Sequence, residues 1–378
     1  MVDAFFQMVS SLPITPQHRA AWLMLPVPGD EEDDATHTRC FLNLAEKKLY
    51  KIKNVFEPFL DAWCVGSSHG CLILLDEKAN PHLFNPFSNA TIQLPSFPAQ
   101  LKPAVPEVYF VEHLRKNFIS KAVFLLDEDN KSAVVVVIYG TPSKLAFCND
   151  VDNTWSDLGG TGTRGEEYSD IICYNNLLYA LTDSGSVQVW DFRSGTPKQI
   201  MNFRPSGRST VNVDMENFPR DKFSNRFYLV ESSGDLLLVN RVFGNFVNSE
   251  GVAIDEAGLL DTEDTHPLVC PYRTKQFHVY KLDGIRNTWE KVESLPDRAM
   301  FLGGNHSLSL STWDLHEGCE SNTIYFTDDN WDQMNEDYLY GGHDLGQFNL
   351  ASGNLQTGVQ CCCLYSERMD PPPFWIIP

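Results

Sequence analysis

The chain has no run of about 18 consecutive apolar residues, so no segment reads as a membrane-spanning helix. Positive charge is scarce: 29 Lys and Arg stand against 50 Asp and Glu, a net charge of −21. Nucleic-acid phosphate and anionic membrane surfaces need a basic face, so neither is expected as a partner. The opening residues, Met1 to Met8, carry an early acid at Asp3 and no basic cluster, unlike a secretory signal or an Arg-rich presequence. A sustained 3.6-residue apolar period is missing as well, which argues against a helical bundle. No HExxH, P-loop, paired metal-binding cysteines or Cys–His dyad stands out, so no catalytic residue, metal or cofactor is assigned.

What the chain has is punctuation. Hydrophobic residues make up 43% and aromatics 12%, enough for a large core. Short apolar runs alternate with Gly, Asn, Asp, Ser and Pro clusters from about residue 60 to residue 350. One unit reads Trp63–Gly66, Gly70–Leu75, His82–Pro86 and Ala90–Pro95, four strand-like runs each ended by turn residues. Comparable quartets fall at 118–158, 170–203 and 226–292. A sixth runs as Met300–Ser311, Asn322–Thr327, Leu345–Leu350 and a return near Leu355. The first unit comprises Ala21–Pro26, Arg39–Ala45 and Leu49–Lys53, and the apolar end, Pro371 to Pro378, can return to it.

Units of four strands predict an all-β chain: a β-propeller of about six four-stranded blades, with a seventh compatible with the boundaries, its ring closed by the C-terminal segment. Residues 1–19 are read as a tail and 20–378 as one propeller domain, expected to be a monomer. Within it, Ala133-Val134-Val135-Val136-Val137-Ile138 has no polar alternation and predicts a strand buried on both faces.

Several motifs imitate active sites. Gly66-Ser67-Ser68-His69-Gly70 fits the nucleophile-elbow pattern, but that chemistry needs a following helix, and Cys71–Leu75 reads as a strand. Gly160 to Gly165 fits a dinucleotide loop, but Glu166 and Glu167 follow where a helix N-terminus would hold pyrophosphate. Trp190-Asp191 resembles the end of a WD repeat without its Gly-His partner and is read as blade packing. Cys361-Cys362-Cys363 lacks metal-site spacing and is read as free thiols. Cysteines inside apolar runs and the lack of a signal peptide place the chain in the cytosol, the nucleus or both.

Several segments resemble a plant family of F-box-associated propellers of the KIB type, once described only as a domain of unknown function. They are Trp63 to Gly70, Phe84-Asn85-Pro86-Phe87-Ser88, Tyr228 to Leu237, Phe301 to Asn305, Ile324 to Asp329, Gly342 to Gly346 and the Pro-rich end with Trp375. The resemblance implies target selection for a Skp1–cullin ubiquitin ligase, which family members reach through an N-terminal F-box. Only the 21 residues Met1 to Ala21 precede Trp22 here, too few for that helical module, so Skp1 is not expected to bind. The reading is a protein-binding propeller, acting either as a ligase receptor or as a relative that binds without recruiting ligase. The competing class is an enzyme with a small-molecule pocket at the central channel.

Two insertions, 244–273 and 328–342, each follow the second run of their unit and should emerge side by side on one rim. Aromatics in such polar loops are either pinned to the ring or exposed for a partner. Tyr272, Arg273, Trp331, Tyr338 and Tyr340 are the partner-binding candidates, for a protein ligand with a basic patch.

The elbow motif supplies a direct test. A fluorophosphonate probe is expected to leave the chain unlabelled; labelling that disappears in Ser68→Ala would show a serine nucleophile in place of a turn.

Overall fold

The computed structural model describes residues 21–26, 38–56, 59, 62–68, 70–98, 111, 114–127, 132–149, 154–158, 166–204, 217–248, 252–255, 272–315, 318–334, 341–357 and 368–376. Among them stand six antiparallel-rich sheets arranged as blades of a propeller. Blade 1 holds β1 (Trp22–Leu25), β2 (Thr38–Asn43) and β3 (Lys48–Lys53), and is completed by the last strand, β25 (Phe374–Ile376). Blade 2 is β4 (Trp63–Ser68), β5 (Cys71–Leu75), β6 (Pro81–Asn85) and β7 (Ala90–Gln93). Blade 3 is β8 (Ile119–Asp127), β9 (Ser132–Tyr139), β10 (Lys144–Asn149) and β11 (Trp155–Asp157). Blade 4 is β12 (Tyr168–Tyr174), β13 (Leu177–Thr182), β14 (Val187–Asp191) and β15 (Lys198–Phe203). Blade 5 is β16 (Phe223–Ser232), β17 (Asp235–Gly244), β18 (Arg273–Asp283) and β19 (Thr288–Val292). Blade 6 is β20 (Arg298–Leu302), β21 (Ser307–Ser311), β22 (Thr323–Phe326), β23 (Gly346–Asn349) and β24 (Asn354–Thr357).

The hydrophobic pattern follows from this stacking. A middle strand has a neighbouring blade on each face, so it cannot alternate apolar with polar. β9 obeys that rule: Val135 and Val137 enter the core shared with blade 2, while Val134, Val136 and Ile138 enter the core shared with blade 4. The outermost strands β3, β15 and β24 have water on their free edge and are largely exposed, with Lys, Gln and Asn in place of Val and Leu. Two-residue turns join the inner hairpins. Asn175 and Asn176 (φ +50° and +59°) and Ser233 and Gly234 (φ +55° and +86°) adopt the left-handed conformations that such turns require.

Ser68 ends β4 and leads into such a hairpin, with Gly70 at φ +69° and β5 next; no helix follows. Trp190 packs in the blade 3–blade 4 core and donates its indole N–H to Gln188 at 3.2 Å. Gly160 to Gly165 and Cys361 to Cys363 lie outside the described residues. Of the other cysteines, Cys64 and Cys71 are buried, and that burial pushes both thiols up to about 12, where they act as small hydrophobes.

Blade 6 departs from the sequence reading. Met300–Ser311 is not one strand but a hairpin, and β21 folds back to become the innermost strand of a five-stranded sheet. β22 then pairs with β20 in parallel. The break lies at Gly303 and Gly304, where a Cβ would stand 2.5 Å from the Thr327 hydroxyl and 2.2 Å from the Trp331 ring. Only glycine lets these neighbours come so close.

β25 closes the ring by pairing Leu23 with Trp375 and Met24 with Phe374. Trp375 is fully buried against Phe301 (5.3 Å, edge to face) and donates its indole N–H to the Leu302 carbonyl at 2.9 Å. Asn305 clasps its backbone, donating to the Trp375 carbonyl at 2.8 Å and accepting from its N–H at 3.2 Å. Trp375→Ala is therefore expected to cost about 3–5 kcal/mol in urea-monitored unfolding. A loss below about 1 kcal/mol would mean that the closing strand contributes little.

Candidate functional site

The inner strands β4, β8, β12, β16 and β21 stand side by side around the axis, and their side chains fill it. Lys121 on β8 pairs with Asp170 on β12, both buried, and also donates to Ser307 Oγ on β21 at 3.2 Å. The second oxygen of Asp170 accepts the Leu229 N–H of β16 at 2.7 Å. Burial raises the Asp170 carboxyl, and Lys121 with two backbone donors pulls against that rise. On the other side of the axis Asn305 donates to Ser67 Oγ at 3.0 Å, and Ser67 Oγ meets His306 Nδ1 at 3.0 Å. With Asn305 clasping Trp375, the six blades are stitched together by polar contacts at the axis.

One mouth of this axis is capped. The second insertion begins at Thr327, forms a one-turn helix α1 (Trp331–Met334) and lays Trp331 edge to face on Trp63 of blade 2 at 5.4 Å. Trp331 (7% exposed), Met334, Tyr272 (1% exposed) and Phe246 of the first insertion join the core formed by blades 2 and 3. The insertions leave blades 5 and 6 and cross the ring to reach it. Lys116, in the π-helical turn Leu114–Phe118 before β8, holds the far side through Asp370 at 2.8 Å and sits 5.8 Å over the Trp63 ring.

The hinge of the cap is Arg241 on β17. Its guanidinium donates to Asp329 at 3.0 Å, to Asp344 at 2.9 Å, to Thr274 Oγ1 at 2.7 Å and to the Thr327 carbonyl at 2.8 Å. It also lies 4.8 Å over the Phe326 ring. Asp344 accepts the N–H and hydroxyl of Thr274, and Asp329 accepts the Tyr228 hydroxyl at 2.8 Å. One arginine thus joins both ends of the second insertion to the end of the first.

Asp328 completes the cluster, accepting the Tyr272 hydroxyl at 2.6 Å. Three carboxylates, Asp328, Asp329 and Asp344, face two cations here, Arg241 and the partly exposed Arg226. Asp328 makes no ion pair among the described residues, and burial together with the Asp344 charge pushes its carboxyl up to about 6 against the pull of Tyr272 and Arg241. Burial and the Asp328 charge hold the Tyr272 phenol well above its usual range.

The described ends of the two insertions meet, with Tyr272 against Asp328 and Phe246 and Trp331 in one core. Of the two alternatives for their aromatics, pinned to the ring or exposed, Trp331 and Tyr272 take the first. Trp331 and Tyr272 are core residues, because the capped mouth offers apolar surface that would otherwise face water. Arg273 is half-buried at the start of β18 and donates to the Tyr272 carbonyl at 3.2 Å; Tyr338 and Tyr340 lie outside the described residues. Arg241, Lys121 and Asp170 were missed, although each is a charge set within a run that must be buried. Such a charge requires a buried partner.

A cavity remains under the cap, lined by Lys121, Asp170, Arg226, Tyr228, Asp329 and Trp331. Its volume of about 40 Å³ suits one or two water-sized groups. Among the described residues no three His, Cys, Asp or Glu side chains are arranged to hold a metal ion.

A family model described as the KIB1-4 beta-propeller matches residues 41–349. F-box protein SKIP23 of Arabidopsis thaliana is 27% identical over 263 residues, which are 68% of this chain and 58% of that protein. The probable F-box protein At4g22060 of the same plant is 23% identical over 388 residues, 96% of this chain and 86% of that one. Among solved structures, TolB from Acinetobacter baumannii aligns with 99% of this chain and 70% of its own at 12% identity and a TM-score of 0.38.

The raised carboxyl of Asp328 sets a pH dependence. Its folded-state pKa lies above that of an unfolded carboxylate, so its contribution is fully present below about pH 4 and is lost as pH rises through about 6. Asp328→Asn keeps the neutral form at every pH. The stability of wild type minus variant is expected to fall by up to about 3 kcal/mol between pH 4 and 6.5, read from urea midpoints. A flat difference would show Asp328 ionised in the cap.

Proposed function

Because the chain belongs to the KIB1-4 β-propeller family, a family of protein-interaction propellers related to plant F-box proteins, we propose that it selects a protein target for a Skp1–cullin-type ubiquitin ligase. The chain spans 58% of the length of SKIP23, so the ligase connection belongs to this proposal. In this reading the propeller supplies target recognition in the cytosol or nucleus, and the acidic balance of −21 favours a target with a basic patch.

The observation that supports surface recognition over catalysis is the use made of the axis. Small-molecule sites are cavities of roughly 300–1,000 Å³. The cavity under the cap offers about 40 Å³, and its ionisable groups already satisfy one another. Two long connections, after β17 and after β22, place Phe246, Tyr272 and Trp331 over that mouth. Such a rigid, filled ring presents fixed loops to a partner and loses little entropy on binding.

Immobilised chain, exposed to plant lysate with the proteasome inhibited, is expected to retain a protein that accumulates under inhibition. A chain that retains no protein, but carries a metabolite in native mass spectrometry, would reverse the assignment in favour of the channel enzyme.

A further inference from the structure

The mouth opposite the cap is built differently. The 303–306 turn lies under the cap, since Gly304 touches Trp331, and β21 runs from it down the axis beside β16. Ser309 meets Ser232, the last residue of β16, at 2.9 Å, so β21 ends at the uncapped mouth. The other inner strands turn there in tight hairpins at Gly70, Asn175–Asn176 and Ser233–Gly234. Blade 6 alone among these extends a longer connection, 312–322, between β21 and β22.

Trp313 stands on that connection with 79% of its surface exposed. Its turn is held firmly. The Thr312 N–H donates to the Asp297 carbonyl at 2.9 Å, the Asp314 N–H to the Ser311 carbonyl at 3.0 Å and the Trp313 N–H to Ser311 Oγ at 3.2 Å. Leu315 anchors it in the core, and Gly318 rests against the Ala45 backbone of blade 1. An ordered turn that holds an indole in water bears a persistent hydrophobic cost, which a partner would remove.

Charge identifies the partner. Asp314 follows Trp313 in the chain, Asp297 holds the same turn through its carbonyl, and Glu320 lies on the same connection; all three are exposed, and none has an ion-pair partner among the described residues. On the blade 1 turn that Gly318 approaches, the exposed Lys47 and Lys48 stand together with Glu46, and Lys48 lies over the Tyr50 ring. An exposed indole with three acidic residues on or beside its turn attracts a cation on both counts, by its quadrupole and by the local negative charge, while the neighbouring Arg298 is engaged with Ser309.

We infer that Trp313 at the uncapped mouth receives an arginine- or lysine-bearing extended segment of a partner protein. The cation stacks on the indole, and Asp297, Asp314 and Glu320 take its neighbouring charges. This inference rests on the protein-recognition reading above and assigns it a surface.

The test uses the full chain and a twelve-residue Gly/Ser peptide carrying three Arg, with a Gln-for-Arg peptide as control, titrated at low salt. The Arg peptide is expected to quench tryptophan fluorescence and to bind at least roughly tenfold tighter than the control. Trp313→Ala and the triple variant Asp297→Asn, Asp314→Asn, Glu320→Gln should each lose roughly tenfold or more, with melting temperatures unchanged because these side chains touch little. Equal binding of the two peptides, unaltered affinity in Trp313→Ala, or a concentration-dependent dimer that Trp313→Ala abolishes would each overturn the inference. A lysate capture run in parallel separates the two readings. If Trp313→Ala retains the same proteins as wild type, the surface is wrong and protein recognition stands; if wild type retains none, both fall.

Discussion

Everything in this ring depends on how six inner strands meet at a narrow axis. Their side chains converge on a space too small for six apolar residues in register, and their backbones bring polar groups that must be satisfied there. The chain answers with an ion pair and short polar side chains: Lys121 and Asp170 across two blades, Ser307 and the Leu229 N–H on the next two, Asn305 and Ser67 completing the circuit to Trp375. Such a network is unforgiving. A buried ion pair contributes little beyond what a well-packed apolar pair would, but removal of one partner strands a charge at a cost of about 3–5 kcal/mol. The axis therefore specifies which blades are neighbours more than it deepens the fold.

The cap repeats that logic at the mouth. Arg241 does not reach outward; it draws Asp329, Asp344, Thr274 and the Thr327 carbonyl into one cluster beneath Phe326. The insertions that carry Trp331 and Tyr272 become part of the interior, and what looks in sequence like a pair of surface loops functions as a lid continuous with the core.

Much of the ring was legible in the residues, and the reasons are local. Blades 2 to 5 showed their strands because each run ends in residues that favour turns, and because Ala133–Ile138 can only be a strand with neighbours on both faces. The closing strand was legible as an apolar end with nowhere else to go. Blade 6 was misread because Met300 to Ser311 is apolar enough to pass for one strand; the two glycines that split it are dictated by Thr327 and Trp331, both distant in sequence. The same distance hid the roles of Trp331 and Tyr272. A polar loop with aromatics looks alike whether its rings face water or a neighbouring blade. Arg241 and Lys121 could have been singled out, since each interrupts a run that has no exposed face, but their carboxylate partners sit on other blades and no spacing rule links them.

The pairing of β25 with β1 also has a consequence in time. The chain emerges from the ribosome with blade 1 missing its innermost strand, and Asn305 waits without the backbone it will clasp until residues 374–376 appear. Five blades can form in order as they are synthesised, yet the seam stays open until residues 374–376 are made. A premature stop between Thr357 and Phe374 would leave blades 2 to 6 intact in sequence and the circle unjoined.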